Sequence, residues 1–269
     1  MNDRIATDIA PFVRRDVDAR GVVTLTLDRP QSFNALSEGM LAALQAELDA
    51  VATDETARAV VIAATGKAFC AGHDLKEMRA APSLEYYEAL FAQCSRIMLT
   101  IQRLPVPVIA RVQGIATAAG CQLVAACDLA VAADSARFAV SGVNLGLFCS
   151  SPSVALSRNV TRKAAFEMLV TGEFVTAWRA LELGLVNRVV ESDAPEALDA
   201  AVEALVAAIV AKPRVAVAMG KQLFHRQLEE RETAAYEDAV RTMAANMMDA
   251  SALEGVQAFI DKRKPRWAG

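Results

Sequence analysis

Short apolar runs alternate with longer segments of helical periodicity over the first two thirds of the chain. Four runs have the length and composition of buried strands, at residues 22–27, 59–64, 107–112 and 129–133. After Ser37, a residue type that caps helices, apolar side chains recur at positions 40, 41, 44, 48 and 51, which predicts an amphipathic helix over 38–51. A second long helix is predicted at about 83–103. The pattern therefore predicts an α/β protein.

Helical periodicity dominates the last third of the chain. The predicted helices cover 153–159, 161–169, 177–183, 194–211, 214–227, 232–248 and 251–261, and a single strand at 185–190 interrupts them. Residues 141–153 are rich in small side chains and are predicted to form a loop. We therefore expect two regions, an α/β core over 1–191 and a C-terminal helical region over 192–269.

The apolar run at 59–64 leads into the segment GKAFCAGHDLKEM, residues 66–78. Gly66 ends the predicted strand, and Asp74 has the position of an N-cap for a helix that begins at Leu75. A glycine just before a helix lets the backbone approach a ligand with free N–H groups, which can hold an anion or a developing oxyanion. By itself this turn fits a purely structural role equally well.

A second segment repeats the arrangement. Residues 107–128 read PVIARVQGIATAAGCQLVAACD, in which an apolar strand runs into a Gly/Ala-rich turn and a short apolar helix at 121–127. Two turns of this kind could supply two convergent backbone N–H groups. Such a pair is what a thioester carbonyl needs for its enolate to be stabilised.

Charge and cysteine content narrow the possible partners. The formal net charge of −4 argues against nucleic acid or an anionic membrane as a bulk partner, although a local basic cluster could still bind phosphates. No run approaches 18 apolar residues, so no membrane-spanning helix is predicted. The five cysteines lack the spacing of a metal site and there are only two histidines, which predicts buried reduced thiols and no metal.

The N-terminal residues carry no recognisable targeting signal. They lack an apolar stretch typical of a secretory signal, and Asp3, Asp8 and Asp16 interrupt any transit-peptide pattern. Together with the reduced thiols, this predicts a cytoplasmic location.

Five segments resemble the crotonase superfamily, the enoyl-CoA hydratases and isomerases, and within it most of all the enoyl-CoA hydratase domain-containing protein 3 type. The segments are LDRPQSFNAL (27–36), AFCAGHDLKEM (68–78), PVPVIARVQGIATAAGCQLVAACDLAVA (105–132), TGEFVTAWRALELGLVNRVV (171–190) and AFIDKRKPRW (258–267). The resemblance implies a spiral of ββα repeats with C-terminal helices that assemble a trimer or a dimer of trimers. It also implies a CoA thioester as substrate and no cofactor.

The resemblance assigns roles to individual residues. It makes the backbone N–H groups of His73 and Ala119 the oxyanion-hole donors, with Ala119 standing where many relatives have glycine. It places further CoA contacts at Ala71, Asp74, Leu75, Lys76, Phe259 and Lys262, the last two reaching the CoA of a neighbouring subunit. Solvated surface charge accounts equally well for Lys76 and for the basic run 262–264.

The departures from the family pattern bear directly on catalysis. Hydratases of the family hold a water between two glutamates, and this chain has Gln122 and Gly142 at those positions. An amide can orient water but cannot exchange a proton near neutral pH, so weak hydration is expected. Ser150 stands where an isomerase branch of the family has an acid.

Three functions stay open at this point. The first is a hydratase- or isomerase-like lyase that works slowly on an enolisable acyl-CoA. The second is a non-catalytic acyl-CoA-binding or regulatory homologue. The third is a thioester hydrolase, in which His73 would act as base for Cys149 or Ser150. The other histidine, His225, lies on an apolar-faced helix and is predicted to be structural.

Overall fold

The strands form two sheets in the computed structural model, which describes residues 11–80, 82–191 and 196–267. The strands are β1 Val13–Val17, β2 Val22–Leu27, β3 Ala59–Ala64, β4 Ala68–Cys70, β5 Val108–Val112, β6 Ile115–Thr117, β7 Leu129–Ala133, β8 Arg137–Ala139, β9 Val175–Thr176 and β10 Arg188–Val190. The larger sheet has the order β1-β2-β3-β5-β7-β10, and the smaller sheet has the order β4-β6-β8-β9.

Helices follow or separate these strands throughout the described residues. They are α1 Glu38–Ala52, α2 Leu75–Ala80, α3 Leu84–Arg103, α4 Ala119–Ala126, α5 Ser150–Asn159, α6 Arg162–Thr171, α7 Ala177–Leu183, α8 Ala197–Val210, α9 Arg214–Gln227, α10 Glu232–Met247 and α11 Ala250–Ile260. Short 3-10 helices cover Pro30–Ser32 and Ser141–Leu145. None of the helices within the described ranges combines the length and apolar character that crossing a bilayer requires.

Three consecutive repeats explain the two sheets. In each repeat the first strand joins the larger sheet and the second strand joins the smaller one, giving the pairs β3 with β4, β5 with β6 and β7 with β8. Neighbours in both sheets are parallel except at the outer pairs β1–β2 and β8–β9, which are antiparallel. The expected α/β spiral of ββα repeats followed by C-terminal helices is confirmed.

The larger sheet is buried on both faces. Val60 and Ile62 of β3 belong to the main core, which includes the apolar faces of α1 and α3. The alternate residue Val61 packs with Ile109 and Val131 against α8, where Leu198, Val202 and Val206 are buried. This period of two explains why the strand reads as a continuous apolar run.

A buried charge network fastens α9 to the core. Lys221, at 8% exposure, donates from Nζ to the Ile101 carbonyl at 2.7 Å, the Val106 carbonyl at 2.8 Å and Asp128 Oδ2 at 2.6 Å. Asp128 also accepts from the Val108 N–H at 2.7 Å and lies 2.9 Å from His225 Nε2. The arrangement agrees with a structural role for His225.

Several predicted boundaries differ from the structure. Residues 141–153 are not a plain loop, because they contain a 3-10 helix and the first turn of α5. The strand predicted at 185–190 is limited to β10, and α4 begins two residues earlier than predicted. Strands β4, β6 and β9 have two or three residues, too few for a periodic signal. The predicted helix start at 194 and region boundary at 192 lie outside the described residues.

Candidate active site

Three predicted site residues follow three adjacent strands of the smaller sheet. His73 comes after β4, Ala119 after β6 and Gly142 after β8. These strands are parallel, with Cys70 paired to Ala116 and Thr117 to Ala139. The carboxyl ends of parallel strands meet at one edge of a sheet, where ligands of α/β proteins commonly bind. Residues distant in sequence are therefore brought to one place.

The turn after β4 leaves the His73 N–H without a backbone acceptor among the described residues. Leu36 pairs with His73 in a parallel bridge, in which the Leu36 N–H donates to the Gly72 carbonyl at 2.7 Å and the Asp74 N–H donates to the Leu36 carbonyl at 3.4 Å. In such a bridge the N–H of the central residue points to the opposite side. The His73 N–H is thus directed away from residue 36, without a backbone acceptor among the described residues.

The turn after β6 presents the Ala119 N–H. The Ala118 N–H donates to the Ala139 carbonyl at 2.9 Å, and the Ala118 carbonyl accepts from the Gln122 N–H at 3.0 Å. Ala118 has φ 51° and ψ −120°, a conformation that costs an alanine on the order of 1–3 kcal/mol. Ala119 is the first residue of α4, so its N–H has no partner within the helix. The Ala119 N–H lies at the N-terminus of α4, which is the positive end of the helix dipole.

The two turns are in van der Waals contact. Gly72 has φ +88°, and a β-carbon there would lie 2.9 Å from Ala118 Cβ and 3.3 Å from Ala119 N. Only glycine satisfies both the left-handed backbone and this close approach. The predicted His73 and Ala119 donors are consequently neighbours in space.

Residue 142, to which the resemblance assigns the second glutamate of the family, is closely surrounded by other atoms. A β-carbon added at Gly142 would overlap the Leu147 carbonyl oxygen and lie 2.7 Å from Cys149 Sγ. The Gly142 N–H donates to Cys149 Sγ at 3.3 Å, and the Gly142 carbonyl accepts from the Leu147 N–H at 3.0 Å. Residue 142 therefore cannot carry any side chain without movement of this loop, and the Cys149 thiol occupies the space beside it.

The position of the first family glutamate is equally enclosed. Gln122 lies on α4 with 4% of its surface exposed. Its Oε1 is buried and has no hydrogen-bond partner among the described residues. Gln122 is not among the residues that line the cavity beside the two turns.

A cavity of about 250 Å³ opens at the edge where the two donors lie. Pockets that take whole drug-sized ligands span about 300–1,000 Å³, so this cavity fits one end of a CoA thioester rather than all of it. Its lining comprises Ala71, His73, Leu75, Met78, Phe91, Ala118, Ala119, Ser141, Gly142, Leu145, Leu147, Phe148, Cys149, Ser150, Ser151 and Pro152.

The two titratable side chains of the lining favour their neutral forms. Burial lowers the pKa of His73 below 6.5, with the Leu36 backbone opposing weakly, and the imidazole edge packs on Phe91 with ring centroids 5.4 Å apart. Its Nδ1 is buried without a partner of normal hydrogen-bond geometry in the described part of the chain. Burial raises the pKa of the Cys149 thiol, with the Gly142 N–H opposing. Near neutral pH the imidazole is therefore favoured as the neutral base and the thiol as the protonated form.

Cys149 and Ser150 line the cavity but are not paired with His73. Cys149 Sγ accepts from Gly142 N–H, and Ser150 Oγ donates to the Phe148 carbonyl at 3.4 Å. No hydrogen bond joins either side chain to the imidazole within the described residues. The nucleophile–base pair that a thioester hydrolase of this type requires is therefore not assembled here.

The remaining predicted CoA contacts divide into two groups. Ala71 and Leu75 line the cavity, whereas the Asp74 carboxylate caps α2 by accepting from the Lys76 N–H at 2.8 Å. The Lys76 side chain is exposed and does not line the cavity. Phe259, 85% exposed, and Lys262 lie at the end of α11, away from the cavity lining.

Sequence reasoning missed the apolar walls. Met78 and Phe91 come from α2 and α3, and Leu145, Leu147 and Phe148 come from the segment predicted to be a loop. The available signal was the concentration of large apolar residues between Gly142 and Cys149, which is unusual for a solvated loop. In the described residues, no group of three or more His, Cys, Asp or Glu side chains is arranged to hold a metal.

Comparisons with known proteins agree with this geometry. The family model described as enoyl-CoA hydratase/isomerase matches residues 18–269. The chain is 44% identical over 248 residues to the Rattus norvegicus protein "Enoyl-CoA hydratase domain-containing protein 3, mitochondrial", covering 92% of this chain and 82% of that protein.

Solved structures give the same result. A Mycobacterium smegmatis enoyl-CoA hydratase structure is 71% identical, with a TM-score of 0.94 and coverage of 96% of this chain and 99% of that one. The structure of human enoyl-CoA hydratase domain-containing protein 3 is 41% identical, with a TM-score of 0.91 and coverage of 95% and 100%. The chain belongs to the enoyl-CoA hydratase/isomerase family, the crotonase superfamily.

Proposed function

We propose that the protein binds an acyl-CoA thioester with its carbonyl oxygen between the N–H groups of His73 and Ala119. The observation that supports the proposal is that His73 and Ala119 line the same cavity and that the turns before them are in contact. Hydrogen bonds directed at this oxygen strengthen as it gains negative charge, so they stabilise the enolate of the thioester. The donors are backbone atoms and their function does not depend on the side chain at either position.

Hydration of an enoyl thioester also needs proton transfer. A base must take a proton from the attacking water, and an acid must deliver one to Cα. The family carboxylates are replaced by Gln122 and Gly142, and the cavity lining offers a neutral imidazole and a protonated thiol instead. We therefore propose a hydratase- or isomerase-like lyase with weak hydratase activity.

One observation favours a second candidate, a non-catalytic acyl-CoA-binding or regulatory homologue. The loop around Gly142 has no room for a catalytic side chain, because the Leu147 carbonyl and Cys149 Sγ fill that space. The oxyanion donors are retained beside it. A site built in this way polarises a thioester without completing the reaction.

Replacement of one donor tests the proposal. His73→Pro removes the N–H, and the matched His73→Ala keeps it while removing the imidazole. The loss of one oxyanion donor costs roughly 10²–10³-fold in kcat where turnover occurs. We expect this loss, with weaker binding of crotonyl-CoA in calorimetry, for the proline variant only. A folded proline variant that binds and turns over the thioester like the parent would refute the assignment.

We further propose a homo-oligomer, a trimer or a dimer of trimers, in which Phe259 and Lys262 reach the CoA of a neighbouring subunit. Helix α10 supports this proposal because none of its residues is buried within one protomer, although Tyr236, Val240 and Met243 are large and apolar. The outward position of Lys76 suits a CoA phosphate. Weaker CoA binding by Lys262→Met and Lys76→Met variants is the expected result.

The proposed compartment is the cytoplasm, since all five cysteines are free, buried thiols. The rat relative carries "mitochondrial" in its name, so the mitochondrion is the alternative location to test. Fractionation of the native host, with detection by antibody, distinguishes the two.

A further inference from the structure

We propose that the cavity accepts acyl groups that end in an uncharged aliphatic chain and rejects those that carry a second carboxylate. The inference rests on the proposed function, since it concerns the acyl end of the same CoA thioester. It goes further by naming the substrate class and the loop that selects it.

The walls of the cavity supply apolar surface from three elements. Leu75 and Met78 contribute from α2, and Phe91 contributes from α3. The segment 142–149, which we call the selector loop, contributes Leu145, Leu147 and Phe148. None of the described lining residues is Asp, Glu, Lys or Arg. A carboxylate packed against these side chains would lose part of its hydration without gaining a counter-charge from the lining.

The polar groups of the lining are largely committed to the protein. Ser141 Oγ is hydrogen-bonded to Thr117 Oγ1 at 2.8 Å, and Ser150 Oγ donates to the Phe148 carbonyl. The His73 imidazole packs on the ring of Phe91. Of these groups, His73 Nδ1 is the one without a hydrogen-bond partner in the described residues, and a single ring nitrogen does not replace the hydration of a carboxylate.

Apart from the proposed oxyanion donors, the N-terminus of α5 could favour an anion, but its donors are mostly used. The Ser150 N–H donates to the Phe148 carbonyl at 2.8 Å, and the Ser153 N–H donates to the Cys149 carbonyl at 2.9 Å. Pro152 has no N–H to give. Ser151 alone remains in this turn, which is less than a carboxylate needs to replace its water.

Internal contacts hold the selector loop in this form. The Leu147 N–H donates to the Gly142 carbonyl at 3.0 Å, the Gly146 N–H donates to the Val143 carbonyl at 3.0 Å, and the Gly142 N–H donates to Cys149 Sγ. The loop thus closes on itself through its backbone and presents Leu145 and Leu147 as side chains. The same closure that excludes a catalytic acid at position 142 makes the wall apolar.

Two thioesters of equal chain length test the inference. Hexanoyl-CoA and adipoyl-CoA differ only at the sixth carbon, which is a methyl group in one and a carboxylate in the other. We expect calorimetry at low ionic strength to show binding of hexanoyl-CoA tighter than adipoyl-CoA by roughly 10-fold or more, because the second carboxylate stays unpaired. Equal affinities, or tighter binding of adipoyl-CoA, would overturn the inference.

Substitution in the selector loop assigns the effect to its wall. The Leu147 side chain is 47% exposed and only its backbone holds Gly142, so the fold should tolerate Leu147→Lys and the uncharged control Leu147→Met. The lysine variant should lower the hexanoyl-to-adipoyl affinity ratio by roughly 10-fold, the equivalent of one ion pair of moderate burial. The methionine variant should keep the parent ratio. The same ratio in both variants would show that charge in this wall does not set selectivity.

Failure of the underlying function would look different. If the protein does not bind CoA thioesters, neither compound gives a binding signal in the titration. If binding occurs but selectivity is absent, both compounds bind alike. The two outcomes are separated within the same titrations.

Discussion

Restoring the family carboxylates should fail at position 142 for a steric reason. A β-carbon on residue 142 would overlap the Leu147 carbonyl oxygen and lie 2.7 Å from Cys149 Sγ. The first obstacle is backbone and cannot rotate away. The φ of Gly142 is not positive, so packing rather than backbone strain is the limit.

The size of the effect follows from overpacking a buried loop. Forcing extra groups into a packed interior typically costs about 1–3 kcal/mol. In a protein of this size each kcal/mol lowers Tm by about 2–4 °C, which predicts a fall of about 2–12 °C for Gly142→Glu. Gly142→Ala should already show much of this fall, because the β-carbon makes the clash. Adding Cys149→Ala should recover only part, since the Leu147 carbonyl remains.

Hydration of crotonyl-CoA, followed by the loss of enoyl absorbance, is the matching activity assay. A positioned acid or base contributes roughly 10²–10⁴-fold. Gln122→Glu should give less than about 10-fold, because residue 122 is buried outside the cavity lining and burial raises the pKa of a lone carboxylate. We expect the double variant to combine lower stability with little gain.

A clear opposite result would refute this reasoning. Gly142→Glu with an unchanged Tm would show that the selector loop yields easily. A gain of more than roughly 10²-fold in hydration by the double variant would show that both carboxylates reach a shared water. Rapid hydration by the parent protein, at ~10 s⁻¹, would show that other residues carry the chemistry.

Three further predictions concern the rest of the molecule. Lys221→Met should lower the free energy of unfolding, measured in urea, by about 3–5 kcal/mol, because Asp128 is left buried without its lysine partner. The control Lys163→Met, at an exposed position, should change it by less than about 0.5 kcal/mol. Equal effects of the two variants would contradict this prediction. Burial holds the pKa of His73 in the folded protein below 6.5, so the unfolded chain binds more protons as the pH falls below 6.5. The free energy of unfolding should therefore decrease with falling pH in this range, and it should decrease less steeply in His73→Phe. Identical pH slopes for the two proteins would refute this prediction. Deleting residues 229–269 removes α10 and α11 but keeps α8 on the sheet, and should reduce the oligomer to a smaller species in light scattering; an unchanged subunit number would rule out these helices as the interface.

The sequence predicted the central strands β3 and β7 of the larger sheet well because each is a continuous apolar run. Strand β3 is buried on both faces, and all six of its residues are apolar. In the smaller sheet, β4, β6 and β9 escaped prediction because they have two or three residues each and depend on pairing with neighbouring strands. Their existence depends on this pairing rather than on any local segment.

The same contrast holds in the candidate site. The turns before α2 and α4 were visible as small residues ahead of helices, and the resemblance to a family singled out His73 and Ala119. The sealing of Gly142 was not visible, since it depends on a carbonyl five residues later and on the Cys149 thiol. The strained φ of Ala118 was also hidden, because alanine gives no local signal for a left-handed conformation.

The three repeats explain how binding and catalysis can separate in this fold. Each of β4, β6 and β8 ends at the same edge, and the first two lead to the proposed backbone donors, which would persist under most side-chain substitutions. The third strand end contributes through a side chain in family hydratases, and a glycine there removes the contribution outright. Here Gly142 allows Leu147 and Cys149 to close over that position, which turns a place for a carboxylate into an apolar wall. A thioester site built this way keeps its oxyanion hole as long as the turns fold, whatever becomes of its acid–base chemistry.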